Sequence, residues 1–350
     1  MKTSFASLSD ILNHGFDTVI DVRSPAEFAL DHVPGAINLP ALSNEERAEV
    51  GTMYVQDSAF KARKMGAAMV ARNVAAHLDG PLKDTLGDWQ PLVYCWRGGQ
   101  RSGSFASILS QIGWRAKVLD GGYQSFRSLV HDAMYDAPVS HRLILLDGNT
   151  GTAKTDILHR LRAMNVQVLD LEGLANHRGS ILGGMPGGQP AQKAFETAVA
   201  CALARLDPAR AVLVEAESSK VGQRIVPPTL WAAMKAASRI EIDAPLDARA
   251  AYLAQAYADL CADPDRFTTK LEMLRDRRGG LVDDWLHMLA AKNMHDLARG
   301  LMADHYDPTY RAGRKRHDAQ VLQRFETTGL TEPDCEALAA RIAAWLASLS

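Results

Sequence analysis

Three short runs in the first third of the chain, TVIDV (18–22), PLVYC (91–95) and AKVLDGGY (116–123), carry almost no polar side chain until each ends in a turn. A strand with one wet face alternates apolar and polar residues. A continuous apolar run must instead be covered on both faces, as strands of parallel sheets are. The segments between them are helical. Ser24-Pro25 supplies a capping hydroxyl followed by proline at the first helical position, and Val70, Val74 and Leu78 fall on one face of a helix expected over 60–78. Strands alternating with helices give an α/β domain with a mostly parallel sheet.

The alternation restarts near His141, after DAPVSH (136–141), which reads as a linker. RLILLDGNTGTAKTDILHRLRAM reads as strand, glycine loop and helix, the helix buried along Ile157, Leu158 and Leu161. Further strands are expected at VQVLDL (166–171), AVLVEA (211–216) and SRIEIDA (238–244), with helix from about Leu246 to the end and a glycine-rich loop at GGMPGGQP (183–190). Two α/β domains follow, over 12–135 and 140–350, in keeping with a length of 350 residues of which 47% are hydrophobic. The formal charge of −2 gives no global case for nucleic acid, so such a site must be a local patch. None of Cys95, Cys201, Cys261 and Cys335 forms a CxxC pair, so no metal site is expected. With no signal peptide or membrane span, a cytoplasmic protein with reduced thiols is expected, Cys201 and Cys261 being buried in helices.

CWRGGQRS places Cys95 at the end of a strand and before a helix. Gly98 and Gly99 allow consecutive backbone N–H groups to curl around an anion, and Arg97 and Arg101 add positive charge. Such surroundings favour thiolate, the nucleophilic form, over a buried inert thiol. GNTGTAKT (148–155) follows the phosphate-loop pattern G-x-x-x-x-G-K-[ST] with Gly148, Gly151, Lys154 and Thr155, except that Ala153 stands where glycine is usual. With the helix N-terminus it can hold a diphosphate. VLVEAES offers Glu215 and Glu217 where an aspartate commonly binds metal, which weakens the case for ATP hydrolysis and leaves Mg2+ open.

VIDVRSPAEF, HVPGAINLP, YCWRGGQRS and LDGGYQSFR, in that order, resemble a rhodanese domain. The resemblance implies an N-terminal rhodanese-like parallel sheet with flanking helices, with sulfur or selenium carried on Cys95 and Asp21 and Arg23 stabilising the domain. The seven-residue span from Cys95 to Arg101 is one longer than in common sulfurtransferases and is the spacing of cysteine-dependent phosphatases. The second half reads as a P-loop NTPase-like α/β domain with a helical C-terminal region. Together with NEERAEVGTMY (44–54), LDLEGLANHRGS (169–180), QPAQKAFE (189–196) and VEAES (214–218), the fusion resembles the bacterial tRNA 2-selenouridine synthase family.

That resemblance implies replacement of sulfur by selenium in the wobble 2-thiouridine of tRNA. Geranyl diphosphate first alkylates the sulfur, and selenium from selenophosphate then displaces the S-geranyl group. It implies Cys95 as selenium carrier, Arg97, Gly98, Gly99 and Arg101 as its anion loop, and Gly148, Gly151, Lys154 and Thr155 on the diphosphate. His177, Arg178, Gln192 and Lys193 are further candidates for phosphate or base. Geranyl diphosphate and selenophosphate are substrates rather than bound cofactors, tRNA is the partner, and a selenophosphate-supplying enzyme is a candidate second one. The basic stretches 266–278 and 311–317, with tyrosines in HYDPTY (305–310), are candidate RNA contacts. A cysteine-dependent phosphatase, a sulfur-relay or tRNA-binding adaptor and a small-molecule kinase are the competing readings.

Overall fold

A computed structural model describes residues 2–180, 183–256, 264–314 and 320–349. The chain divides into two compact units, one of Met1–Ala137 with Pro190–Arg205, the other of Pro138–Gln189 with Leu206–Ser350. This differs from two continuous stretches: a segment from the middle of the second expected domain clusters with the first unit.

The first unit holds a five-stranded sheet of β1 (Lys2–Thr3), β2 (Thr18–Asp21), β3 (Ile37–Asn38), β4 (Pro91–Tyr94) and β5 (Lys117–Leu119), in the order β1-β5-β4-β2-β3. Every described pairing is parallel. All residues of β4 are buried, as its unbroken apolar run requires. Val70 and Val74 of the helix Ala59–Asp79 pack with Ile20, Val93 and Phe105 in the core. Ser24 caps the helix Pro25–Leu30 through a capping box with Glu27. Because β1 pairs with β5, the unit begins before residue 12.

The second unit contains β6 (Leu143–Gly148), β7 (Gln167–Leu169), β8 (Val212–Glu215), a small hairpin of β9 (Lys220–Val221) and β10 (Arg224–Ile225), β11 (Ser238–Asp243) and β12 (Val321–Glu326). Its main sheet is parallel, in the order β12-β11-β6-β8-β7. The expectation of helix from Leu246 to the end therefore needs correction. β12 extends the sheet edge, and Phe325 buries against the final helix Glu332–Ala347 with Leu338 and Ile342. VLQRFE has one buried position in six, the pattern of an edge strand, which the run of neighbouring helices masked. A helical layer built on Phe267, Trp285, Leu297 and Leu301 makes a separate core. Among the described residues no helix is long and apolar enough to cross a membrane.

Candidate functional site

β4 ends at Tyr94, and Cys95 is the next residue, with only 4% of its surface exposed. The loop then turns through Gly98, at φ +63°, into the helix α1 (Gln100–Ile112). A second loop locks it from behind. Tyr123 N–H donates to the Cys95 carbonyl at 2.8 Å and Gln124 N–H to that of Trp96 at 3.0 Å. The two backbones approach so closely that a Cβ at Gly98 would stand 2.5 Å from the Leu119 carbonyl oxygen, and one at Gly122 2.4 Å from that of Cys95. Glycine at these positions therefore reflects both positive φ and lack of space.

Burial pushes the Cys95 thiol up. Hydrogen bonds from the Ser102 hydroxyl and from the backbone N–H groups of Ser102, Gly99 and Arg97 outweigh burial and hold it below its ordinary value. Ser102 Oγ is 3.1 Å from Sγ. Cys95 thus combines a thiolate-favouring nest with a position at the carboxyl end of a parallel sheet, where open α/β folds bind ligands. Of the expected cations, Arg101 pairs with Glu27 at 3.0 Å and Arg97 donates to Gln124 at 3.0 Å. Asp21 and Arg23 form a buried pair at 2.6 Å, and the Arg23 guanidinium stacks 3.9 Å above the Tyr123 ring, which makes them a structural clamp beneath the loop.

In the second unit, β6 runs into the phosphate loop and the helix α2 (Lys154–Ala163). Ala153 adopts the left-handed conformation, φ 58°, at the position where the pattern has glycine. The non-glycine residue keeps the backbone of the motif at a conformational cost on the order of 1 kcal/mol. Lys154 Nζ donates to the carbonyls of Gly148 at 2.8 Å and Asn149 at 3.2 Å, so the ammonium lies across the loop. Gly151, Lys154, Thr155, His177 and Arg178 line one cavity of about 350 Å³ together with Glu172, Tyr252, Leu253 and Tyr310. Gly148 does not line it; a Cβ there would meet Thr152 Oγ1 at 2.6 Å.

Behind the cradle lie carboxylates. Thr155 Oγ1 donates to Glu172 at 2.8 Å. Glu217 is pushed up to about 8, first by burial and then by the neighbouring Glu172, so it keeps its proton near neutrality. Glu215 is also raised well above the usual carboxylate range, by burial first and then by Asp170 and Glu172, and takes a hydrogen bond from Leu171 N–H at 2.9 Å. The hydroxyl of Thr155 and the carboxylate of Glu172 are hard oxygen donors and fit a divalent cation beside a diphosphate. His177 is held below its ordinary value by burial, and its Nδ1 accepts from Gly179 N–H, so the ring is neutral and its Nε2 carries the proton.

The structure takes Gln192 and Lys193 elsewhere. They start the helix Gln192–Ala204, which belongs to the first unit, and Gln192 donates to Glu196 at 3.1 Å. Neither lines the cradle. Sequence reasoning passed over Ser102, Glu172 and Tyr310. Ser102 follows Arg101 directly, so its place beside the thiol was readable from helical phase. Tyr310 lies far along the chain, and only the fold brings it to Lys154, whose Nζ is 5.8 Å from the ring centroid. Of the basic stretches, part of 311–317 falls outside the described residues. In 266–278, Arg275 is engaged with Glu272 and Asp283, as on a solvated face. Cys201 is buried as expected; Cys261 lies outside the described residues.

An apolar slot adjoins the cradle. Thr150, Ser180 and Leu253 line both, and the slot continues between α3 (Leu246–Ala256) and α4 (Met294–Leu301) along Phe267, Leu297, Leu301 and Met302. It is narrow, about 30 Å³.

Comparison with known proteins accounts for both halves. Residues 4–129 match the rhodanese-like domain, and residues 141–273 match the tRNA 2-selenouridine synthase AAA domain. A tRNA 2-selenouridine synthase of Cupriavidus necator is 32% identical over 344 residues, covering 90% of this chain and 93% of that protein. One of Pseudomonas syringae pv. tomato is 31% identical over 345 residues, covering 89% and 93%. A Nitrosomonas eutropha relative of the same name is 36% identical over 245 residues, 66% of this chain and 60% of that protein. The chain belongs to the tRNA 2-selenouridine synthase family.

Proposed function

We propose that the protein replaces sulfur by selenium in the wobble 2-thiouridine of tRNA, through an S-geranyl intermediate. The observation that carries this reading is the junction of the phosphate cradle with an apolar slot at Thr150, Ser180 and Leu253. That junction has the polarity of a prenyl diphosphate: an anionic head on the loop N–H groups and Lys154, and a hydrocarbon tail along Leu253 and Tyr252, with its far end entering and widening the slot.

The chemistry explains why one chain needs both sites. A thiocarbonyl sulfur is a poor leaving group. In the first step the sulfur–carbon bond to geranyl forms as the carbon–oxygen bond to diphosphate breaks, and the uracil N3 proton is released. The cradle stabilises the charge that develops on the diphosphate. In the second, the selenium of selenophosphate attacks C2, the C2–sulfur bond breaks and geranyl thiol leaves with a proton; water then cleaves the selenium–phosphorus bond, releasing phosphate and leaving 2-selenouridine. Cys95, with a thiolate nest that also suits a phosphate-bearing donor, handles selenium from selenophosphate. Thr155 and Glu172 would hold a divalent cation, which would supply further charge neutralisation on the diphosphate.

Nucleoside mass spectrometry of 2-thiouridine tRNA, treated with geranyl diphosphate with and without selenophosphate, tests the scheme. Wild type should yield 2-selenouridine, Cys95→Ser should stop at the geranyl nucleoside, and Lys154→Ala should make neither. Unchanged nucleoside with wild type and intact substrates would defeat it and bring forward the phosphatase and adaptor readings.

A further inference from the structure

We propose that a second preformed cavity of the P-loop unit receives the thiouracil base once it has left the anticodon stack. The inference rests on the tRNA reading above and adds where the nucleoside binds. The cavity measures about 450 Å³ and adjoins the cradle, with Tyr310 and Gly179 lining both. A nucleophile bound there would lie beside the place where the diphosphate is held, as displacement by sulfur requires.

Its lining is that of a nucleobase pocket. Trp231 and Tyr310 offer aromatic faces, and Met234 and Leu145 add apolar wall. Lys235 and Arg239 stand among these with the carboxyl groups of Asp147 and Glu217. A prenyl tail would strip water from the exposed Lys235 ammonium and crowd the Arg239 guanidinium without replacing a hydrogen bond. A free phosphate would leave Trp231 and Met234 without a role and would face the carboxyl groups of Asp147 and Glu217, of which the raised Glu217 keeps its proton near neutral pH. An uracil suits both parts, with two apolar faces to stack and an edge of donors and acceptors to pair. Enzymes that act on a base in RNA must unstack it and recover the loss by stacking it on aromatic side chains.

The test has a binding arm and a turnover arm. An anticodon stem-loop RNA carrying 4-thiouridine at the wobble position is bound to the full-length protein and irradiated, and crosslinked peptides are mapped. Crosslinks should fall in the tryptic peptide 225–235, which contains Trp231, or in the one containing Tyr310. In turnover, Trp231→Ala should lower kcat/KM for 2-thiouridine tRNA on the order of 10- to 100-fold, Trp231→Phe should recover most of it, and affinity for geranyl diphosphate should stay unchanged in both. The unchanged affinity also shows that the variants are folded. Retained RNA that crosslinks only outside the cavity overturns the proposal. So does a Trp231→Ala enzyme that loses affinity for geranyl diphosphate instead, because the cavity would then hold the tail. Failure of wild type to retain the stem-loop at all would instead defeat the tRNA reading, and it is seen before any crosslinking.

Discussion

Cys95 shows how little separates a buried inert thiol from a poised one. Cys201 is equally enclosed and its thiol is pushed up to about 11, chiefly by burial. Cys95 moves the other way because four donors converge on its sulfur. Removing one should be measurable: Ser102→Ala should slow alkylation by iodoacetamide at neutral pH by roughly 3- to 10-fold, since one lost hydrogen bond to a charged group costs about 1 kcal/mol or more. The pH midpoint of alkylation should move up, and a midpoint that stays put would show that the backbone N–H groups suffice. The Glu172–Glu217 pair gives the second residue-scale test. Burial and the neighbouring carboxylate raise Glu217, so the folded protein keeps a proton that the unfolded chain releases above the ordinary value of 4.5. Its contribution to stability is fully present below that value and is lost as pH rises through about 8. The melting temperature of wild type should therefore fall relative to Glu217→Gln as pH is raised across that window, and parallel curves would refute the assignment.

At the scale of elements, the glycines of LDGGYQ matter as much as the cysteine loop they support. Gly122→Ala would drive a methyl into the Cys95 carbonyl and Gly98 N, both within 2.5 Å, and backbone on each side leaves nowhere to retreat. We expect a loss of about 2–4 kcal/mol in denaturant unfolding, together with loss of the fast-alkylating thiol. Much of this was legible in the sequence, because unbroken apolar runs, glycine loops and helical stripes are local signals. Cys95, Lys154 and Thr155 could be placed at strand–helix junctions from those signals alone. The cavity walls could not. Tyr252, Trp231 and Tyr310 reach their places only through the packing of distant elements, and their local sequence suits an ordinary helix. β12 was missed for a related reason: a half-exposed edge strand carries little apolar signal. Gln192 and Lys193 were candidates for phosphate or base; the structure places them at the start of a helix that clusters with the first unit.

For the whole molecule the consequence lies in connectivity. The chain leaves the first unit after Ala137, returns at Pro190, and leaves again after Arg205. The returning helix Gln192–Ala204 completes the first unit's structure. Thr197 Oγ1 donates to Asp31 at 2.8 Å, beside the Tyr123 hydroxyl at 2.6 Å on the same carboxylate oxygen. Arg127 pairs with Glu196, whose other oxygen accepts from Tyr135 at 2.7 Å. Phe195 and Val199 are fully buried. Asp31 is held above the usual carboxylate range by burial, so losing the Thr197 donor leaves a strained buried acid beneath the Arg23–Tyr123 clamp. A fragment of residues 1–137 should therefore be less stable than the first unit within the full chain by on the order of 5 kcal/mol, from two large side chains and their hydrogen bonds. Urea titration of the fragment, followed by the near-ultraviolet signal of Trp89, Trp96 and Trp114, measures this. A synthetic peptide of residues 190–205 added in trans should raise the midpoint, and a peptide with Phe195→Ala and Thr197→Val should not. If the bare fragment unfolds at the same urea concentration with and without the peptide, the helix is a passenger and the rhodanese fold stands on its own. If the midpoint rises, the two halves of the enzyme cannot be separated cleanly at the linker, because a cut there leaves the helix Gln192–Ala204, which clusters with the first unit, in the other half.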